Sequence, residues 1–270
     1  MNLLLLFEAD RVASASSQDP VASRQNPVAS SQDRFVVSDR RYVHLVEVLK
    51  AIVGQQIRVG LWDGPKGLAT LTRLTDTHAE MDVAWLEPAP EPPAVHLILA
   101  IPRPKSFKKL LPQIVALGVR RLTLLRSWRV AQPYLSSPLL QPEQHRSLIA
   151  DGLMQAGCTR PPIVEMAPRF KPFVEDVAAH LPSFKWIAHP AARTPLGTLR
   201  PAKASITLAI GPEGGWLPYE VQAFEAAGFQ AVMMGRRILR VETACVALLA
   251  NIELLRTLDT PAPDHAGAND

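Results

Sequence analysis

Ile206 to Trp216 reads ITLAIGPEGGW, and Met234 to Ala244 reads MGRRILRVETA. Each segment reads as a buried apolar strand that stops abruptly at a glycine-bearing turn. Gly211, Gly214, Gly215 and Gly235 carry no Cβ, so the chain there can lie close against a flat ligand. Two such turns at neighbouring strand ends mark the edge where an open α/β sheet binds small molecules.

The grammar around these turns is strand–helix alternation. VHLILAI (Val95 to Ile101) precedes a helical SFKKLLPQIVALG (Ser106 to Gly118), in which Pro112 forces a kink or marks a break near the start. LTLLRS, the helix PEQHRSLIADGLMQAG (Pro142 to Gly157), then FVEDVAAHL and FKWIAHP repeat the pattern. ITLAI leads into a helix around Tyr219 to Ala227, and AVMMG leads into VETACVALLANIELLRTL. Continuous apolar strands between helices predict a parallel sheet covered on both faces.

Upstream, EPAPEPP (Glu87 to Pro93) is a stiff, extended boundary. Before it lie short β-type runs: RFVVS (Arg34 to Ser38), QIRVGLW (Gln56 to Trp62), LATLTRL (Leu68 to Leu74) and EMDVAWL (Glu80 to Leu86). One helix, HLVEVLKAIV (His44 to Val53), interrupts them, which predicts a small barrel of a kind that handles RNA. Residues 12 to 33, rich in Ser, Gln and Pro with PVAS repeated, read as a flexible loop.

Bulk properties narrow the class. The chain has 270 residues, is 47% hydrophobic, and contains no apolar run near the ~18 residues of a membrane span. MNLLLLFEAD lacks the cleavage site of a signal peptide and reads as a first strand. Cys158 and Cys245 are too few for a disulfide framework, and no histidines cluster with them at metal-ligand spacing. A metal-free, cytoplasmic protein is expected. The net charge is only +4, but no acidic residue lies between Glu91 and Glu143. Arg103, Lys105, Lys108, Lys109, Arg120, Arg121, Arg126 and Arg129 fall in that span. A one-signed field of this kind suits a phosphate backbone; a plain solvated face is the other reading.

Familiar motifs are missing: no P-loop, no G-x-G-x-x-G, no G-x-S-x-G elbow and no H-E-x-x-H. The cap after GPEGG is unusual, because Pro218 and Glu220 suit a helix start while Leu217 offers no capping oxygen. At the next helix entrance Arg236, Arg237 and Arg240 precede Glu242 and Thr243. Three arginines oppose the positive end of a helix dipole, so they read as facing something anionic.

Taken together, IGPEGG and the later G-R-R-I-L-R-V-E-T-A run resemble the RsmE-like 16S rRNA methyltransferases, which methylate N3 of a uridine. The match covers Ile210 to Gly215, Gly235, Arg237 to Arg240 and Glu242 to Ala244. It extends weakly to MNLLLLFEAD, to HLVEVLK with His44, and to ALGV (Ala116 to Val119). The resemblance implies a PUA-like β-barrel over about 1–88 and a SPOUT methyltransferase domain over 94–260, with a trefoil-knotted, mostly parallel sheet. It also implies S-adenosylmethionine held in bent form by Ile210, Gly211, Gly215, Met234, Gly235, Ile238 and Leu239, with Arg240 and Thr243. Arg237, Arg240 and Glu242 become the candidate catalytic residues, and Arg103, Lys105, Lys108, Lys109 and Arg236 the RNA-binding ones. The partners implied are 16S rRNA in the 30S subunit and a second copy of the chain. The last helix, with Val241, Cys245, Leu248, Ile252 and Leu255 on one apolar stripe, fits that homodimer role or plain core.

Two departures stand out. The family's E-Q-S-G-R is Met154 to Cys158 here, with Arg160 a candidate replacement, and the glutamate of its K-x-T-E-L-G-V is Ala116. Methyl transfer needs positioning more than covalent help, and the proton on uracil N3 needs a base or cationic donors. Alternatives are an RNA-binding or assembly factor of the same fold without activity, and a methyltransferase for a different RNA.

Overall fold

In the computed structural model, which describes residues 2–12, 33–201 and 204–258, contacts divide the chain into two units. The first comprises Met1–Glu91 and Leu153–Pro161; the second comprises Pro92–Gly152 and Pro162–Asp270. The excursion at Leu153–Pro161 lies inside the span expected for the second domain. The loop expected over 12–33 lies outside the described residues, apart from its ends, which are strand residues.

The first unit is a curled sheet of β1 (Leu4–Leu6), β2 (Arg11–Val12), β3 (Asp33–Val37), β4 (Gln56–Leu61), β5 (Lys66–Leu74) and β6 (Ala79–Glu87). Its order is β1-β4-β5-β6-β3-β2; β1 and β4 pair in parallel and the other neighbours are antiparallel. Alternation along β6 buries Ala79, Met81 and Val83 on one face, where they meet Phe35, Leu45, Val59 and Leu71. The helix starts earlier than expected. Asp39 accepts from the Arg41 amide at 2.9 Å and caps α1 (Arg40–Val43), which continues as π-helical His44–Val48. It ends before Val53, because Lys50 already has φ 49°.

Arg41 is buried in this unit. Its guanidinium donates to Asp10 Oδ1 at 2.8 Å, to Asp39 Oδ1 at 2.9 Å and to the Leu5 carbonyl at 2.8 Å. Within Leu153–Pro161, buried Thr159 donates to the Gly64 carbonyl at 2.6 Å. Arg160 donates to Asp63 Oδ1 and to the Pro90 carbonyl, each at 2.7 Å. These bonds tie Arg160 to the first unit's own loops.

The second unit contains β7 (Val95–Ala100), α2 (Pro104–Ala116), β8 (Val119–Leu125), α3 (Gln132–Leu135) and α4 (Pro142–Ala156), whose end belongs to the first unit. It continues with β9 (Ile163–Ala167), α5 (Phe170–Pro172), β10 (Phe184–Ala188), β11 (Thr194–Pro195) and β12 (Ile206–Ile210). The last elements are α6 (Pro218–Ala226), β13 (Gln230–Met233) and α7 (Val241–Leu258). The sheet is parallel throughout, in the order β11-β13-β10-β12-β7-β8-β9. Every residue of β12 is buried, as a central parallel strand requires.

One expectation changes, and two readings left with alternatives are decided. The two glycine turns follow β12 and β13, which are not neighbours, because β10 lies between them. Helix α2 runs through Pro112 to Ala116 rather than breaking near its start. Gly152 lies close to that proline, where a Cβ would come within 2.5 Å of the Pro112 carbonyl oxygen. The α7 stripe of Val241, Cys245, Leu248, Ile252 and Leu255 is buried within the chain itself. It is core and presents no dimer face. Burial also pushes the Cys245 thiol well up, so it stays protonated.

A polar chain crosses three strands of this sheet. His96 Nε2 on β7 lies 2.8 Å from Thr123 Oγ1 on β8, which donates to Glu165 Oε1 on β9 at 2.8 Å. Arg121 holds the other carboxylate oxygen at 2.8 Å. Burial lowers the His96 pKa to about 4, against the pull of Glu165 and with help from Arg121. The folded state therefore binds fewer protons than the unfolded state between pH 6.5 and 4. The stabilisation is complete above about pH 6.5 and is lost as pH falls through about 4; it amounts to about 3 kcal/mol. Urea unfolding of His96→Gln at pH 7, 5.5 and 4 should show a flatter pH dependence than the wild type. Equal slopes would remove His96 from the account.

Candidate functional site

The carboxyl ends of β10, β12 and β13 lie side by side, so the three loops leaving them share one edge of the sheet. After β12 the chain turns through Pro212–Gly215, closed by the Gly215 amide donating to the Pro212 carbonyl at 2.8 Å. Gly215 has φ +71°, a conformation most side chains avoid. Trp216 then turns inward and packs edge-on against Phe224, with centroids 5.2 Å apart. Its ring lies against Gly211, where a Cβ would come within 3.2 Å of it.

Each glutamate of this region holds a backbone group. Glu213 Oε1 accepts from the Arg103 amide at 2.9 Å, at the entrance of α2. Glu220 is fully buried; its Oε2 accepts from the Leu217 amide at 2.8 Å and its Oε1 from the Trp128 amide at 2.9 Å. The capping oxygen missing at Leu217 is thus replaced by a carboxylate reaching back from three residues on. Glu242 is bonded to Ser106 and to its own backbone amide; these hold its carboxyl below the usual range, against desolvation, with help from Arg240 and Arg103. It is an anion that orders the start of α7.

The loops enclose a cavity of about 440 Å³. Of the residues expected to hold a cofactor, Ile210, Gly211, Gly215, Met234, Gly235, Ile238 and Leu239 all line it, and so does Arg237. Arg240, Glu242 and Thr243 are absent from its wall; Glu242 and Thr243 face a separate groove with Gln113 and Asn251. Arg103, Lys105, Lys108, Lys109 and Arg236 are exposed and lie outside the cavity. Arg103 also donates to the Tyr134 hydroxyl at 3.3 Å.

Sequence reasoning missed two parts of the wall. Ala188–Ala191 follow β10, and His189 Nδ1 accepts from the Ala191 amide at 3.3 Å there. Strand FKWIA followed by His-Pro was a usable signal, because in a parallel sheet every strand ends on the same side. Arg129 follows β8 and donates to the Gly214 carbonyl.

Residues 89–253 match the RNA methyltransferase domain family. The ribosomal RNA small subunit methyltransferase E of Treponema pallidum is 31% identical over 223 residues, which cover 79% of this chain and 84% of that protein. The chain belongs to the ribosomal RNA small subunit methyltransferase E family. A crystal structure of the Neisseria gonorrhoeae member bound to S-adenosyl methionine superimposes with TM-score 0.71 at 25% identity, covering 94% of this chain and 98% of that one. A probable rRNA-methyltransferase from Porphyromonas gingivalis shares the fold, with TM-score 0.69 at 21% identity over 85% of this chain and 96% of its own. In this methyltransferase E family member the curled first sheet is the PUA-like part, and the parallel second unit is of the SPOUT, trefoil-knotted class.

Proposed function

We propose that this chain is an S-adenosylmethionine-dependent methyltransferase that modifies N3 of a uridine in the 16S rRNA of the small subunit. The observation that carries this reading is the cavity at the ends of β10, β12 and β13, built by the residues of the two glycine turns. Its size falls within the range of small-molecule sites, and its wall combines main-chain groups with apolar side chains. A Cβ at Gly215 or Gly235 would meet only open space, so a flat base can approach the backbone there and the residues fit the cofactor. When bound, S-adenosylmethionine supplies an electrophilic methyl group.

The chain's own part is to position and to stabilise charge. Arg237 is the arginine of the GRRILR run that reaches the cavity wall, and it faces the charge that develops as uracil N3 loses its proton. Glu242 orders the loop, and Arg236 with the α2 lysines holds the phosphate backbone outside. The target base has to be unstacked, which favours a looped or single-stranded site. The chain works as a homodimer, through a face other than the α7 stripe. Among the described residues no helix is long and apolar enough to cross a membrane, and the ribosomal substrate is cytoplasmic.

Titration calorimetry with S-adenosylmethionine, followed by nucleoside mass spectrometry of 30S subunits incubated with the enzyme, tests the reading. Cofactor binding and the appearance of 3-methyluridine are expected. Arg237→Ala should lower the methylation rate at saturating cofactor by roughly 10²–10³-fold. Binding without methylation of any rRNA would point instead to an assembly factor. A methyl group on another RNA would change the substrate only.

A further inference from the structure

Among the described residues Trp128 is the one exposed tryptophan, at 75%, while Trp186 and Trp216 are buried and Trp62 and Trp85 half-buried. An indole left in water exposes a large apolar face with a polar edge, the kind of surface enriched where a partner docks. The exposure is not slack in the backbone. The Trp128 amide is bonded to fully buried Glu220, and the Val130 amide donates to the Ser127 carbonyl at 3.2 Å. Ser127 and Val130 are themselves buried, so both ends of the turn are fixed. Arg129 runs from the same turn into the cavity wall, where its methylenes pack on Gly214. Trp128 is thus one residue from the wall of the proposed methyl-donor site, on a turn tied to that wall through Arg129 and Gly214.

The charge around it selects the occupant. Arg126 and Arg129, two residues before the indole and one after it in the chain, are both exposed, within the segment that contains no acidic residue. An exposed π-face on a turn that also carries exposed arginines matches a nucleobase with its phosphates close by. A protein partner would match the indole but would have to bring a surface acidic enough to pair these arginines. We infer that Trp128 is the stacking platform for an unpaired base of the RNA strand brought to the cavity. It is a positioning residue, not a catalytic one, and the inference rests on the RNA methyltransferase reading above.

Binding of a uridine-containing single-stranded RNA and of 30S subunits lacking 3-methyluridine tests this in wild type, Trp128→Ala and Trp128→Phe. Loss of one stacked base should weaken RNA binding about 5- to 100-fold in W128A, while W128F retains most of the affinity. The loss should appear in KM for 30S subunits rather than in S-adenosylmethionine affinity or melting temperature. Indole emission should be quenched by RNA in the wild type and not in W128F. Unchanged RNA affinity in W128A, beside a wild type that methylates, overturns the stacking role alone. A fall in oligomeric mass with RNA affinity intact also overturns it and makes the indole a protein contact. A wild type that binds the cofactor but no RNA overturns both readings.

Discussion

Glu220→Ala should lower the melting temperature of the second unit by about 5–15 °C and weaken S-adenosylmethionine binding at the same time. The carboxylate is fully buried and accepts from two amides, those of Leu217 and Trp128. Alanine leaves both donors without a partner, at about 1–3 kcal/mol each, and each kcal/mol moves the midpoint of a unit this size by about 2–4 °C. Some of the loss is recovered, because a buried charge no longer has to be desolvated. The two amides belong to the turn after GPEGG and to the turn after β8, so their release loosens two walls of the cavity together. Glu220→Gln has the same shape but only one acceptor oxygen, so it should fall between. Calorimetric melting and cofactor titration of the three proteins decide the matter. A melting temperature within about 2 °C of wild type in the alanine variant would sink the argument.

The second large effect is in the other unit. Arg41→Ala should destabilise the curled sheet by about 3–5 kcal/mol, because it strands a partly buried Asp10 and the Leu5 carbonyl. The guanidinium also lies over the Phe7 ring, 4.8 Å from its centroid, so apolar packing is lost as well. Lysine is a poor substitute, since a single ammonium group cannot span Asp10, Asp39 and a carbonyl at once. Burial alone would raise the Asp39 pKa, but hydrogen bonds and charge from Arg41 outweigh it and hold the carboxyl low. Asp39 thus adds stability that is present above the ordinary carboxylate pKa and lost as pH falls below it. Amide hydrogen exchange resolved by segment is the measurement: β4, β5 and β6 should exchange faster in R41A, while β7, β8 and β12 keep their protection. Unchanged protection in β4–β6 would mean that the ion network contributes little.

The strands of the second unit were legible where a run is apolar throughout and ends at glycine, as in ITLAI, because a central parallel strand is buried on both faces. Strand β9 was missed: it lies at the sheet edge, and of IVEMA only Ala167 is buried, so it lacks the continuous apolar run of a central strand. The helix expected from His44 began at Arg40, since the Asp39 cap decides the start and hydrophobic spacing does not. At the site, the residues that meet the cavity through their backbone were readable from their glycines. Ala188–Ala191 carried a signal in their strand end, but that they share the cavity depends on β10 lying between β12 and β13. Arg129 joins the wall through a side-chain bond to the Gly214 carbonyl that no spacing predicts. Roles that depend on a side chain's partner were also hidden. Glu213 and Glu220 look alike as acids near a helix, yet one holds the α2 entrance and the other ties two loops beneath the cavity.

The pairing of β7 with β12 has a consequence for how the chain is made. Val95 lies opposite Ile206, roughly 110 residues further on, and β10 also depends on β12 for one of its neighbours. At ordinary translation speeds β7 and β8 leave the ribosome about 5–20 s before the strand that completes the sheet's centre has been synthesised. Through that interval the apolar edge of β7 has no partner, and contacts of such long range close slowly even afterwards. The nascent chain is therefore most open to aggregation, and most in need of a chaperone, between the emergence of β7 and that of β12.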